Sequence, residues 1–305
     1  MRCDLHVHSK HSGPVTVPGL RHLLHECYSE PLAVYDTARR RGMDLVTLTD
    51  HDSIEGALQL RGRPDFFMGE EVTVVLPASR ELHVGVFDLD EAQHAQIARR
   101  RFDPESLFAY LAEERLPACL NHPFSALTGK REIEDLHRGL HGVALLESRN
   151  GMLPRVNNDC ARRAGALRGR GLAGGSDAHT LATVGRAFTI APGARSREEY
   201  LRALRRAATI PAGRSGSYAR LTTDILRILA GALREGATAR PAGAGDLLRR
   251  AVLLAALPLL PFVPLATLAQ SLKERFWAAA VFARWRKSLE GREERVRRLG
   301  LEMSA

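Results

Sequence analysis

Between residues 3 and 208, short apolar runs alternate with stretches whose apolar residues recur at helical spacing. The runs CDLHVHS (3–9), MDLVTLTDH (43–51), FFMGEEVTVVL (66–76) and RELHVGVFDL (80–89) predict strands. LPACLNHPF (116–124), GVALLESRN (142–150), GLAGGSDAH (171–179) and RAFTIAP (186–192) continue the series. Helices are predicted between them at 31–42, 103–115, 154–167 and 196–208. This alternation is that of an α/β fold with parallel strands joined by crossovers, and seven or eight such units predict a compact βα barrel. Such barrels carry their chemistry at the C-terminal ends of the strands. Polar residues gather at those ends here: His6 and His8, Asp50 and His51, His122, Asp177 and His179.

The pattern changes after Pro211. GRSGSY reads as a turn-rich link, so a boundary is expected near residue 212, with 1–212 as one domain and 213–305 as a mainly helical, partly apolar extension. An amphipathic helix is predicted near 221–235, followed by a Gly/Ala/Pro-rich spacer, EGATARPAGAG. Residues 251–269 then run for nineteen positions without a charge. As one straight helix they would span about 28 Å, close to the thickness of a bilayer core. Pro258, Pro261 and Pro264 remove backbone donors every third residue and argue against a simple crossing helix. A second apolar stretch, FWAAAVFA (276–283), precedes the basic RWRKSLEGREERVRRLG. Together these predict a hairpin that dips into a membrane face through 249–287. The competing expectation is a tail packed on the barrel or on another subunit.

With 45% hydrophobic and 26% charged residues, composition excludes a disordered chain. The net charge of +9 is unevenly spread. Residues 1–190 carry 23 basic and 25 acidic side chains, whereas 191–305 carry 21 and 10, so a barrel near neutrality precedes a tail at +11. No basic nucleic-acid groove is therefore expected around a barrel site, and nucleic acid is the less favoured partner. All twelve histidines lie at or before position 179, which assigns any imidazole chemistry to the first part. The four cysteines share no CxxC spacing, so a reducing compartment is expected. MRCDLHVH lacks the apolar core of a secretory signal, and the expected location is cytoplasmic, at the inner membrane face if the tail binds lipid.

In DLHVHS the histidines stand at i and i+2, which on a strand turns both imidazoles to one face, able to grip one metal ion; Asp4 shares that face. SDAH repeats the geometry with Asp177 and His179, after glycines that allow close backbone approach. TLTDHD adds Asp50 and His51, GEEVTV adds Glu71, LHV adds His83 and LNHPF adds His122. Six histidines and two carboxylates exceed the ligands of a single catalytic metal, so two or three divalent ions are implied. Manganese, zinc and iron all suit such N/O donors.

In their order and strand context these six motifs resemble the PHP (polymerase and histidinol phosphatase) domain family through residues 3 to about 190. The resemblance implies a distorted (β/α)7 barrel with a trinuclear metal centre that hydrolyses phosphoesters. It implies a first metal on His6, His8, Glu71 and Asp177, with Glu71 bridging to a second on His83 and His122, and a third on His51 and His179. Relatives add a carboxylate or imidazole to the third ion shortly after HxH, where this chain has Gly13, with His11 as a nearby substitute. Glu70 competes with Glu71 for the bridging role but points to the opposite strand face. Asp4 and Asp50 are expected to accept the remaining N–H of ligand imidazoles, and Asp52 to cap the following helix. Lys10, Arg149 and Asn150 are candidate phosphate contacts.

The function expected is hydrolysis of a small phosphorylated substrate by a metal-bridging hydroxide. A 5′–3′ nuclease or nucleoside-bisphosphate hydrolase, and a membrane-anchored binding or regulatory module with a weakened centre, are the alternatives. An amidohydrolase of the kind that bridges its metals with a modified lysine is disfavoured, because the predicted strands contain no Lys.

Overall fold

The computed structural model describes residues 1–15, 20–127, 131–238 and 244–298. All eight predicted strands form, each shorter than its apolar run. Strands β1 (Arg2–Asp4), β2 (Leu45–Val46), β8 (Ala187–Ile190) and β9 (Ile210–Gly213) make one sheet in the order β2-β1-β8-β9. Strands β3 (Gly69–Leu76), β4 (Arg80–Phe87), β5 (Ala118–Leu120), β6 (Leu145–Asn150) and β7 (Gly171–Gly175) make the other, in sequence order. Both sheets are mixed: β1–β2, β5–β6 and β6–β7 are parallel, whereas β3–β4, β4–β5, β1–β8 and β8–β9 are antiparallel. Main-chain pairing does not close the two sheets into one barrel among the described residues. They meet at two seams. Thr189 on β8 exchanges side-chain hydrogen bonds with both backbone groups of Gly174 on β7, and an isolated parallel bridge joins His51 to Glu71.

The strands stop early because the segments beyond them turn polar side chains inward. The chain after β1 pairs with the chain after β7 through a Val7–Ala178 bridge, which brings the HxH and SDAH segments side by side. Gly175 makes that approach possible. A Cβ there would collide with the backbone and Cβ of His6.

The predicted helices appear as α1 (Pro31–Arg40), α4 (Pro104–Glu113), α6 (Arg155–Leu167) and α7 (Arg197–Arg205). Three more lie where the pattern was too short or too polar to read: α2 (Glu55–Leu58), α3 (Glu91–Arg100) and α5 (Ile133–Gly142). Asp52 does not cap α2, which starts beyond Ile54 with no side-chain cap. Its carboxylate instead accepts the Thr73 N–H and pairs with Arg101, locking the 50–52 turn to β3.

Beyond β9, the amphipathic segment forms α8 (Tyr218–Thr238). The uncharged run becomes α9 (Ala244–Ala255), a 3-10 turn at Leu257–Phe262 and the start of α10 (Val263–Arg298). The prolines act as expected: Pro258 and Pro261 sit in the turn and Pro264 in the first turn of α10, where a missing donor costs little. No single helix among the described residues is long and apolar enough to cross a membrane. The pair Asp246–Ala255 and Leu257–Glu294 reaches that length and composition together, bent by 52°.

The second apolar stretch departs from the hairpin expectation, since one face of it belongs to the core. Ala278, Val281, Phe282, Trp285 and Leu289 are buried in the same cluster as Phe124, Leu136 and Leu140. Phe124 meets Phe282 edge-on at 5.6 Å. Burying a side chain such as Phe282 contributes about 1.5–3 kcal/mol, so α10 is a structural wall of the fold.

Candidate metal centre

Glu71 lies at the middle of the site, fully buried on β3. Its Oε2 is 3.1 Å from His6 Nε2, 3.5 Å from His8 Nε2 and 3.4 Å from His51 Nδ1. Its Oε1 is 3.1 Å from His122 Nε2 and 3.4 Å from His83 Nδ1. Asp177 Oδ1 faces the other side of the HxH pair, 3.5 Å from both His6 Nε2 and His8 Nε2. His179 stacks on His8 with ring centroids 4.3 Å apart. All eight residues singled out as ligands thus converge, and their donor atoms fall into overlapping groups compact enough to hold an ion. Those groups are His6/His8/Asp177, His6/Glu71/His122, His51/Glu71/His83 and His8/His51/His179.

A carboxylate unmarked by sequence reasoning stands beside the His8/His51/His179 group. Glu26 Oε2 lies 3.0 Å from His51 Nε2 and 3.8 Å from His179 Nε2. It arrives there because residues 24–26 pair with residues 13–15: Val15 N–H donates to Leu24 O at 3.1 Å and Glu26 N–H to Gly13 O at 3.0 Å. Gly13 is therefore the hinge of the excursion that delivers the acid, with φ of 80°. His11 plays no part in the centre; its ring contacts Glu55 at 3.1 Å and Gln59 at 2.9 Å. Nothing in the spacing betrays Glu26, because only the returning loop brings it back to HxH.

The supporting groups also differ from expectation. Asp4 reaches no imidazole. It accepts the backbone N–H groups of His6, Ser176 and Gly185 and the Ser176 hydroxyl, tying the HxH and SDAH segments together. Asp50 acts one step removed, accepting from Ser9 and from the Ser12 hydroxyl, which in turn meets His8 Nδ1 at 2.9 Å. The imidazole orienter is Glu147 on β6, another residue that sequence reasoning passed over. Its Oε1 is 2.9 Å from His6 Nδ1, and its Oε2 accepts the His122 N–H at 2.9 Å. Asn150 links Glu147 to Asp177 at 3.0 Å each, and Asn121 donates to Glu71 Oε1 at 2.9 Å. Glu70 points away, as alternation requires, and pairs with His94 at 2.8 Å. Lys10 pairs with Glu30 at the surface and Arg149 donates to Ser215.

The backbone is strained at two of these positions. His122 and Asp177 adopt φ of 29° and 54°, the left-handed region that non-glycine residues avoid. Such strain persists where surrounding structure over-determines it, characteristically at functional sites.

Electrostatics separate the imidazoles. Burial opposes charge on His6, but Glu71, Asp177 and Glu147 hold its pKa well above the ordinary value. His8 is pushed down to about 3 by burial and by His179 and His51 beside it. Burial likewise opposes charge on His83 and His179, yet Glu71 raises the first and Glu26 with Asp177 the second, each to about 9. Burial would raise Glu71 and Asp177, but the surrounding imidazoles hold both well below the carboxylate range. Several donor atoms are buried without a hydrogen-bond partner, among them His8 Nε2, His83 Nδ1 and Glu26 Oε2. Unpaired buried polar atoms are costly, and clustered nitrogens and carboxylate oxygens are the donors that borderline divalent cations take up. The residues fit such ions.

A mixed α/β fold carries a histidine–carboxylate cluster at its strand ends, as the resemblance to PHP domains implies. Residues 156–209 match the PHP-associated family profile, in keeping with the resemblance of the six motifs to the PHP family. The solved structure of PsfC from Pseudomonas syringae PB-5123 superposes with a TM-score of 0.53 at 17% identity, covering 75% of this chain and 98% of that one, which shows the shared fold. A candidate metal-dependent phosphoesterase from Bifidobacterium adolescentis overlaps more loosely, with a TM-score of 0.43 and 14% identity over 59% of this chain and 88% of that one. In sequence, the chain is 25% identical over 130 residues to uncharacterized protein MJ1587 of Methanocaldococcus jannaschii, covering 42% of this chain and 70% of that protein.

Proposed function

We propose that the chain is a metal-dependent phosphoesterase that hydrolyses a small phosphorylated substrate, and that its two sheets are the opened wall of a distorted (β/α)7 barrel. The observation that carries the reading is Glu71. One fully buried carboxylate presents Oε1 to two imidazoles and Oε2 to three, the arrangement of a ligand shared between cations. His6, His8 and Asp177 would hold one ion with Glu71, and His83 and His122 a second. His51, His179 and Glu26 would hold a third. Manganese, zinc or iron bound there supplies Lewis acidity and lowers the pKa of water near neutrality.

The chain's own residues do the positioning. Glu71 and Asp177 stay ionised at any physiological pH and supply the negative charge that balances clustered cations. His8, with its depressed pKa, is neutral, and the Ser12 hydroxyl, itself donating to Asp50, can accept its Nδ1–H, which leaves Nε2 with a free lone pair. Glu147 fixes the His6 ring through Nδ1 and the His122 backbone in the same stroke, which sets two donor nitrogens at constant separation. No serine or cysteine nucleophile stands among these groups.

The test combines metal analysis with a panel of small phosphoesters, nucleotides and single-stranded nucleic acid. Wild type should bind two to three divalent ions, lose phosphoesterase turnover on chelation and regain it with manganese, zinc or iron. Glu71→Gln should retain the fold by circular dichroism and lose at least about 100-fold in turnover, the upper end of what disturbed metal environments cost. Undiminished turnover by that variant would refute the shared-ligand assignment, and cleavage of nucleic acid in preference to small esters would move the substrate class.

A further inference from the structure

A second feature lies outside the histidine centre and does not depend on its chemistry. Between α6 and α10 runs a groove of about 630 Å³, with a floor that includes Val156, Cys160, Ala279 and Phe282. Its rim carries Arg155, Arg163, Arg275 and Arg286, against a single acid, Asp159. Arg155 and Arg286 make only long helix-surface pairs at 3.5 Å, and Arg163 and Arg275 have no hydrogen-bond or ion-pair partner among the described residues. An apolar trough edged by four guanidiniums, two of them without an ion-pair partner among the described residues, suits a ligand that is anionic at one end and apolar at the other.

The trough does not stand alone. Along α10 the residues Leu265, Leu268, Leu272, Phe276, Ala279 and Ala283 follow one another at three- and four-residue steps and so share one stripe. The stripe is turned to solvent, with Leu265 65% and Phe276 74% exposed. It joins an apolar apex formed by the bend, where Leu248, Leu259 and Phe262 are 66%, 62% and 61% exposed. Monomeric proteins rarely leave so continuous an apolar surface uncovered. Lys273 and Arg275 flank the stripe, within a C-terminal segment at +11.

We infer that the α9–α10 face seats on an anionic lipid surface, its apolar apex entering the acyl region and the arginine-rimmed groove taking a phosphate headgroup. Charge decides for lipid over a second copy of the chain: two such faces would bring like-charged rims together, whereas an anionic leaflet complements them. The bend favours lying in the interface over crossing it, since no single described helix is long and apolar enough to cross and the pair that reaches that length is broken by 52°.

The experiment is co-sedimentation of the full chain with vesicles of phosphatidylcholine alone, or of phosphatidylcholine mixed with phosphatidylglycerol. Expected is binding that grows with phosphatidylglycerol and weakens with salt. Arg163→Glu combined with Arg275→Glu should weaken it by at least about tenfold, each cation near a charged surface contributing several-fold. Phe262→Ser with Phe276→Ser should abolish it, with near-ultraviolet circular dichroism of Trp277 and Trp285 confirming that each variant folds. The inference fails if wild type stays in the supernatant with phosphatidylglycerol vesicles, or if the arginine variant binds them undiminished. It also fails if the face is instead buried in a concentration-dependent dimer, or if inorganic phosphate fills the groove while vesicles are ignored.

Discussion

A single carboxylate delivered by a loop, Glu26, supplies an acid that faces the Nε2 atoms of both His51 and His179. Burial would raise its pKa, but His179 and His51 hold it well below the carboxylate range. Replacement Glu26→Ala should lower the metal content of purified protein by about one ion per chain and reduce turnover by about 10–100-fold. An unaltered metal stoichiometry would assign Glu26 to orienting His51 alone. A second residue-scale prediction concerns the pair beneath the centre. The Glu70 carboxylate raises the pKa of His94, with burial opposing. A histidine whose folded pKa exceeds its unfolded value contributes stability in full below the unfolded value, near 6.5, and loses it as pH rises through the folded one. His94→Gln should therefore destabilise the protein by about 1–3 kcal/mol at pH 6, with a smaller difference at pH 9, read from denaturant midpoints across pH. At this scale the convergence of eight histidines and carboxylates was legible, because i, i+2 pairs and strand-end acids write their geometry directly into spacing. Glu26 and Glu147 were not: one depends on a loop closing, the other on which face β6 turns inward past its irregularity at Glu147/Arg149.

Among the elements, α10 has the widest reach. Glu274 on its first half is buried and accepts the Ala126 N–H at 3.0 Å and the Asn157 side chain at 2.8 Å. It therefore ties the C-terminal helix to α6 and to the loop that follows His122. Removing it strands those donors without partners. Glu274→Ala should cost about 1–3 kcal/mol of stability, seen as a lowered unfolding midpoint, whereas Glu290→Ala, at the exposed end of the helix, should cost less than about 1 kcal/mol. Strand and helix positions followed from periodicity, but the roles of the C-terminal elements did not. The FWAAAVFA run reads as uniformly apolar, and only its three-dimensional neighbours show that Ala278, Val281 and Phe282 serve the core while Phe276 faces solvent.

For the molecule as a whole, the thiols are set apart from the histidine cluster by burial. The four cysteines are free and buried, and burial pushes the thiols of Cys27 and Cys160 up to about 11. A thiol-specific reagent at neutral pH should label almost no cysteine in native protein and all four after denaturation, because the thiolate is the reactive species. Labelling of the native chain would reveal opening of the core. A chain ending after Thr238 should aggregate, since Phe124 and Leu136 would lose the cover that Phe282 and Trp285 provide.

The pairing of β1 with β8, Cys3 opposite Thr189, has a temporal consequence. The histidines nearest the N-terminus leave the ribosome first, yet the strand beside them is made almost two hundred residues later. Until then the chain can offer a cation only scattered, flexible donors. Such long-range closure is slow, so a cation would meet an assembled cluster only after β8 has been made and paired.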